Sequence, residues 1–179
     1  MISKDSNNIE HVNESLIFLI GFMGAGKSTV GRVLAEKLAY EFIDLDNVIE
    51  TQTGKSVQAI FAESGEAEFR KLEREAIESC HRIERAVIAL GGGAYLPEEN
   101  RTLLRRLGKT VWLDCPLKIC LTRTAGDRSR PLLGGESEMK ALFESRLPLY
   151  ALADHRIETG SLRAKYVAKA IIDTLGIES

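Results

Sequence analysis

The fold is decided by residues 16–28, which read LIFLIGFMGAGKS. The apolar run from Leu16 to Ile20 is uninterrupted, which is typical of a parallel strand that is covered on both faces. A glycine-rich turn follows it. Beyond the turn, apolar residues recur at the spacing of an amphipathic helix, at Val30, Val33, Leu34 and Leu38. The stretch therefore predicts a buried strand, a tight turn and a helix.

The turn matches the phosphate-binding pattern G-x-x-x-x-G-K-[ST] from Gly21 to Ser28 at every fixed position. Backbone amides of such a turn converge on phosphate oxygens, and the next helix presents its positive end to the same anion. Lys27 would add a full charge at the β- and γ-phosphates, and the Ser28 hydroxyl would ligate Mg²⁺. The candidate ATP-binding residues of the turn are Gly24, Ala25, Gly26, Lys27, Ser28 and Thr29.

Two other interpretations of this turn are less favoured. A glycine turn that only links a strand to a helix would not require the Lys27-Ser28 pair. The dinucleotide pattern G-x-G-x-x-G fails, because Thr29 occupies its last position when the pattern is read from Gly24. The sequence therefore predicts a nucleoside triphosphate as the ligand and not a nicotinamide cofactor.

Strand and helix patterns alternate along the rest of the chain. Further strands are predicted at 41–44, 86–90, 110–114 and 156–158, and helices at 47–53, 66–82, 97–107, 116–124, 138–152 and 162–175. This alternation is typical of an α/β protein that has three layers, with a parallel sheet between two layers of helices. Ligands of such folds bind at the carboxyl ends of the strands.

Glycine and proline mark the expected breaks in this pattern. Gly65 is predicted to end a short helix that Ser56 caps, before the long charged helix begins. Pro148 is predicted to bend or interrupt the helix over 138–152. The stretch 125–137 is rich in Gly, Arg and Asp, so we predict a mobile loop there.

Composition excludes several classes of protein. The chain has 179 residues, of which 44% are hydrophobic and 28% charged, so we predict a polar tail over 1–14 and one domain over 15–179. Its net charge of −2 favours neither a nucleic-acid nor a membrane partner. The 3 cysteines show no C-x-x-C spacing, and no apolar run reaches the ~18 residues of a membrane helix. We expect a soluble cytoplasmic protein.

Carboxylates follow two of the predicted strands. Asp44 and Asp46 would face the same side of an extended backbone, so that one could hold Mg²⁺ and the other accept a hydroxyl proton. Asp46 could equally cap a helix that begins at Asn47, and the sequence does not decide between the two roles. Asp114 ends a hydrophobic strand as a metal-binding aspartate would. A capping role is favoured for it, because Pro116 starts a helix two residues later.

A glycine triplet and several arginines are further candidates. Gly91-Gly92-Gly93 follows a central strand, where a substrate could approach the backbone closely, although a flexible turn is the alternative. Arg128 and Arg130 lie in the loop over 125–137, from which they could swing onto phosphates or remain solvated. Arg70 and Arg146 lie on predicted helices, where a surface ion pair is the default interpretation.

Taken in order, these motifs resemble those of the shikimate kinase family of P-loop small-molecule kinases. The resemblance runs from about Leu16 to Leu175 and rests on GFMGAGKSTVGRVLAEKL, FIDLDNVIE, SGEAEFRKLE, ALGGGAYL, RTAGDRSRPLL and SRLPLYALAD. It implies a five-stranded parallel sheet in the order 2-3-1-4-5, with a lid at about 125–137. It also implies transfer of the γ-phosphoryl group of ATP to the 3-hydroxyl of shikimate, in the chorismate pathway to aromatic amino acids.

The resemblance also assigns roles to residues on the nucleotide side. It implies that Lys27 and Ser28 bind phosphate and Mg²⁺, with Asp44 near the metal. Arg123 would stack on adenine, Arg163 would make a second adenine contact, and Arg130 would reach the transferred phosphate from the lid. The sequence around Arg163, GSLRAK, departs from the motif that is typical of that loop.

On the substrate side, the resemblance implies a clamp for a small hydroxy acid. Arg70 and Arg146 would pair with the carboxylate of shikimate, because a guanidinium fork matches a planar carboxylate. Gly91, Gly92 and Gly93 would line its ring, and Asp46 would contact its hydroxyls as the candidate base. We also expect the protein to be a monomer.

Two rival functions remain at this point. A gluconate- or adenylate-type kinase would share the phosphate-binding turn, but the arginine pair and the glycine triplet argue against it. A nucleotide-binding regulatory module without catalysis is the second rival. The presence of Lys27, Ser28, Asp44, Asp46 and Arg130 argues against that module.

Overall fold

A computed structural model describes residues 15–125 and 135–177 of the chain. Five parallel strands form one sheet in the order β2-β3-β1-β4-β5, as predicted. The strands are β1 Leu16–Ile20, β2 Glu41–Asp44, β3 Ala86–Ala89, β4 Lys109–Asp114 and β5 His155–Glu158. The helices of the described residues are α1 Lys27–Leu38, α2 Leu45–Thr53, α3 Val57–Ser79, α4 Glu98–Leu107, α5 Leu117–Thr124, α6 Glu136–Tyr150 and α7 Ala164–Leu175.

Strand β1 lies at the centre of the sheet because its sequence leaves it no exposed face. All of its residues are buried, and it pairs in parallel with β3 on one side and β4 on the other. Every residue of β3 is buried too, whereas the edge strands β2 and β5 carry exposed residues. The apolar runs thus end up between layers of helices, and the phosphate-binding turn leaves the carboxyl end of the central strand.

Helix α3 is broken at Gly65, as predicted. The backbone there has φ 80° and ψ 175°, which is not helical, so two helical segments meet at a kink. Ser56 caps the first segment, since its side chain accepts a hydrogen bond from the amide of Ala59 at 3.2 Å. The second segment buries Phe69 and Ala76 on the predicted stripe.

Two helices near the end of the chain differ from their predicted patterns. The interruption predicted at Pro148 is not seen in helix α6, which starts at Glu136 and continues through the proline to Tyr150. Pro148 has no amide hydrogen for a helical bond to the carbonyl of residue 144, and the helix ends two residues after it. The stripe predicted for the last helix is wrong at two positions. Leu162 precedes α7, and its side chain and that of Tyr166 are 51% and 53% exposed. The buried face of α7 is set by its packing against α1.

Some predictions fall outside the described residues, namely the tail over 1–14 and the part of the lid over 126–134, which includes Arg128 and Arg130. Within the described residues, Cys80, Cys115 and Cys120 are buried free thiols. None of the helices over 15–125 and 135–177 is long and apolar enough to cross a membrane.

Candidate active site

The turn between β1 and α1 is built on glycines in the left-handed backbone region. Gly21, Gly24 and Gly26 have φ values of 143°, 74° and 97°. A Cβ atom at Gly24 would lie 2.5 Å from the carbonyl oxygen of Cys120, so the turn packs directly onto α5. Because the N-cap of α1 is Gly26, which has no side chain, the amides of the first turn are left for an anion.

Lys27 folds back over this turn. Its Nζ donates hydrogen bonds to the carbonyl oxygens of Gly21, at 2.9 Å, and of Phe22, at 3.1 Å. The ammonium group is partly buried there. A full positive charge therefore lies against the loop that precedes the amide-rich start of α1.

The two residues predicted to serve a metal lie together. Ser28 Oγ donates a hydrogen bond of 2.7 Å to Asp44 Oδ2, at the end of β2. No group of three or more His, Cys, Asp or Glu side chains that could hold a metal occurs within 15–125 and 135–177. The pair suits Mg²⁺, which is usually bound by one or two protein oxygens together with phosphate oxygens and water.

Asp46 lies beside the glycine triplet, and of its two alternative roles the structure contradicts the cap of a helix that begins at Asn47. Helix α2 begins at Leu45, so Asp46 occupies its first turn and Asp44 is the N-cap residue. For the same reason the extended geometry assumed for the two aspartates ends at Asp44. The Asp46 carboxylate lies instead beside the segment that follows β3, where its Oδ1 is 2.8 Å from the position that a Cβ atom on Gly91 would occupy.

Each glycine of the triplet leaves room for a different side chain. A Cβ atom on Gly92 would lie 3.2 Å from Arg146 Nη1, and one on Gly93 would lie 2.5 Å from Arg70 Nη1. The same Cβ position on Gly92 would lie 3.8 Å from the carbonyl oxygen of Gly21, so the triplet borders the phosphate-binding turn. These close approaches explain three successive glycines better than a flexible turn does.

Arg70 is held by two carboxylates on its own helix. Glu66 Oε1 accepts hydrogen bonds from its Nε and Nη2, at 3.2 and 2.9 Å, and Glu73 Oε2 accepts one from Nη1 at 2.9 Å. Burial alone would lower the pKa of Arg70, but the charges and hydrogen bonds of Glu73 and Glu66 raise it above its usual value. The predicted ion pair is present, and it fixes the guanidinium against Gly93.

Glu73 is a residue of this site that the sequence interpretation missed. Its side chain is 1% exposed, and burial raises the pKa of the carboxyl although the charge of Arg70 opposes the rise. Its Oε1 is buried and has no hydrogen-bond partner among the described residues. A signal was available, since Glu73 lies on the apolar stripe of α3 between Phe69 and Ala76, where a charge needs a partner.

Arg146 reaches the triplet from α6. Its Nη1 donates to the carbonyl oxygen of Gly92 at 3.3 Å, and its guanidinium lies over the ring of Phe22 at 5.6 Å. Its Nε is buried without a hydrogen-bond partner within the described parts of the chain. An unsatisfied buried donor of a cation is costly, and an anionic ligand would satisfy it.

The residues predicted for the adenine side are only partly brought together. Arg123 donates to the carbonyl oxygens of Gly24, at 3.3 Å, and Gly160, at 3.2 Å, so it links the phosphate-binding turn to the segment after β5. Arg163 is an exposed N-cap residue of α7, and Thr29 is exposed on α1. Arg130 lies outside the described residues.

Asp114 does not cap α5, so the favoured interpretation of this residue is wrong. The N-cap of that helix is Pro116, and no side chain caps it among the described residues. Asp114 Oδ2 instead accepts hydrogen bonds from Nε and Nη2 of Arg156 on the neighbouring strand β5, at 2.9 and 2.5 Å. The Asp114 carboxylate therefore pairs with an arginine that is distant in sequence and does not bind the amides at the start of α5.

The chain is similar to proteins of one family over most of its length. The family model described as shikimate kinase matches residues 23–176. A shikimate kinase of Persephonella marina is 46% identical over 144 residues, 80% of this chain and 88% of its own length. One of Moorella thermoacetica is 45% identical over 161 residues, 89% of this chain and 93% of its own.

A solved structure agrees with these relatives. The shikimate kinase from Acinetobacter baumannii in complex with shikimate superimposes with a TM-score of 0.85 at 39% sequence identity, covering 90% of this chain and 93% of that one. Fold, phosphate-binding turn and relatives agree: the chain belongs to the shikimate kinase family.

Proposed function

We propose that this chain transfers the γ-phosphoryl group of ATP to the 3-hydroxyl of shikimate, with shikimate 3-phosphate and ADP as products. The observation that carries the proposal is the contact between the phosphate-binding turn and a glycine triplet faced by two arginines. Donor and acceptor would therefore meet at the carboxyl ends of the neighbouring strands β1 and β3. The Acinetobacter baumannii relative, whose structure holds shikimate, supports the choice of acceptor.

On the acceptor side, Arg70 and Arg146 would hold the carboxylate. Their guanidinium groups approach Gly93 and Gly92, which are adjacent residues and so only about 3.8 Å apart at their Cα atoms. Two forks converging on one short backbone segment suit a single planar anion. The unsatisfied Nε of Arg146 supports the same assignment.

On the donor side, the amides at the start of α1 and the charge of Lys27 would hold the phosphates. Ser28 and Asp44 would hold Mg²⁺, which when bound neutralises charge on the phosphate oxygens. We assign Arg123 and Arg163 to the adenine side. Arg130 is assigned to the transferred phosphate, on the strength of the family motif.

Transfer needs an acceptor oxygen that is correctly oriented and relieved of its proton. We assign both tasks to Asp46, which lies beside Gly91 at the edge of the acceptor site. The hydroxyl oxygen attacks the γ-phosphorus, the bond to the β–γ bridging oxygen breaks, and ADP leaves. Closure of the lid at about 125–137 would exclude water, which could otherwise accept the phosphoryl group.

We further propose that the chain acts as a cytoplasmic monomer, with one domain over 15–179 and a tail over 1–14 that takes no part in catalysis. Light scattering after size-exclusion chromatography measures the mass directly. A chain of 19.8 kDa that elutes at that mass agrees with the proposal, and a stable dimer contradicts it.

The proposed reaction is tested by measuring ADP release with shikimate, gluconate and nucleoside monophosphates as alternative acceptors. We expect turnover with shikimate and little with the others, because only shikimate pairs a carboxylate with a ring that fits against the triplet. Activity confined to gluconate or to nucleotides would overturn the proposed substrate. ATP binding without turnover on any acceptor would favour a regulatory module.

A further inference from the structure

One carbonyl oxygen of the glycine triplet receives two hydrogen bonds from α6. The hydroxyl of Tyr150 donates to the carbonyl oxygen of Gly92 at 2.5 Å, and Arg146 Nη1 donates to the same atom at 3.3 Å. The two donors are four residues apart, so they lie on the same face of the helix. Tyr150 makes the shorter of the two bonds.

The side chain of Tyr150 is held in place by packing. Its side chain is 1% exposed, and its ring lies 6.1 Å from that of Trp112 on β4. Burial raises the pKa of Tyr150 to about 12, although the charge of Arg146 opposes the rise. The hydroxyl therefore keeps its proton at physiological pH and always donates.

We propose that Tyr150 is a positioning residue for shikimate: by holding the Gly92 carbonyl it orients the backbone of the triplet and leaves Arg146 for the substrate carboxylate. The inference rests on the proposed function, because it takes shikimate as the ligand of Arg146. It assigns to Tyr150 a role in substrate affinity and none in nucleotide binding.

Peptide geometry carries the first part of this proposal. The peptide between Gly92 and Gly93 is planar and trans, so a fixed carbonyl also fixes the direction of the Gly93 amide. Glycine restricts rotation about its backbone dihedral angles less than any other residue. The orientation of the triplet backbone must therefore be fixed by contacts from outside the triplet, and the short hydrogen bond from Tyr150 is one such contact.

Competition between the donors carries the second part. Without the Tyr150 hydroxyl, the Gly92 carbonyl would keep Arg146 as its donor, and their bond would shorten from 3.3 Å. The guanidinium would then satisfy this partly buried acceptor instead of the ligand, because a carbonyl that is shielded from water and lacks a donor is costly. Loss of one hydroxyl would thus weaken a contact made by another residue.

The test compares Tyr150→Phe with Tyr95→Phe. Tyr95 is equally buried, and its hydroxyl lies near that of Thr110 but has no hydrogen-bond partner within 3.5 Å among the described residues. We expect Tyr150→Phe to raise the KM for shikimate about 3- to 10-fold while the KM for ATP stays within about 2-fold. Tyr95→Phe should change neither constant. Equal rises in both constants, or no rise, would overturn the proposal.

A double-mutant cycle separates positioning from a general structural role. If part of the effect of Tyr150 passes through Arg146, Tyr150→Phe should raise the KM for shikimate by a smaller factor when Arg146 is already alanine than it does in the parent. A full 3- to 10-fold rise in that background would show that Tyr150 acts independently and would overturn the inference. If the unaltered chain fails to phosphorylate shikimate, the proposed function itself falls, together with this inference. An active parent with an unaffected Tyr150→Phe variant removes the inference alone.

Discussion

The donor and acceptor halves of the site are put together in opposite ways. The phosphate-binding turn, Gly21 to Ser28, is one continuous stretch of sequence, and Lys27 donates hydrogen bonds to Gly21 and Phe22 within it. The acceptor half collects side chains from α2, α3 and α6 around a triplet that follows β3. The difference teaches that a local motif discloses the reaction class, whereas the substrate is chosen by residues that only the fold brings together.

The largest effect is expected in the donor half, from Lys27→Ala. The variant loses a charge-assisted contact worth about 1.5–3 kcal/mol, so kcat/KM should fall about 10- to 150-fold. Steady-state kinetics with saturating shikimate measure the loss. The matched control is Lys71→Ala, because Lys71 is 64% exposed and its carboxylate partners lie 3.9 Å away. A Lys27→Ala enzyme with near-normal turnover would contradict the role assigned to the turn.

The acceptor half is tested by Arg70→Lys. Lysine keeps a charge beside the buried Glu73 but cannot form a two-pronged contact with a carboxylate. The KM for shikimate should rise about 10-fold, and the KM for ATP should hardly change. Arg74→Lys is the control, since Arg74 lies one turn further along α3, is 50% exposed and pairs with Glu78. Equal changes in the two KM values would contradict a specific role of Arg70 in binding shikimate.

The third test concerns stability and not catalysis. Gly24→Ala forces alanine into a left-handed backbone and places Cβ against the carbonyl oxygen of Cys120, whereas Gly54→Ala, at φ 66°, has open space around it. Both variants should lose about 1–2 kcal/mol to backbone strain, and Gly24→Ala about 1–3 kcal/mol more. Urea unfolding measures both. Equal losses would mean that the turn does not depend on its packing against α5.

Most of the fold was predictable because its signals are local. The strand patterns predicted every strand to within one residue, and Gly65 marked the break in α3 because a residue with positive φ ends a helix. The strand order came from the family resemblance. The errors arose where distant contacts override local preference, as when Arg156 takes the carboxylate of Asp114 or when packing against α1 selects the buried face of α7.

The site followed the same rule. Ser28 and Asp44, which the family resemblance assigns to one metal site, lie within hydrogen-bond distance of each other. Asp46 and Glu73 were harder, because the first residue of α2 and the depth of one glutamate in α3 depend on how these helices pack on the sheet. Spacing places Glu73 on the buried face of α3, but it gives neither the depth of the side chain nor its partners.

Strands β1 and β3 are immediate neighbours, and each ends in a loop that we assign to one of the two ligands. The two strands are separated by a hydrogen-bonded spacing of about 4.8 Å, which cannot increase without breaking the buried sheet. Under the proposed function, the sheet would therefore set the distance between triphosphate and acceptor. One inhibitor could join an anion that binds the turn to a carboxylate that binds Arg70 and Arg146, with a linker whose length the spacing of the strands defines.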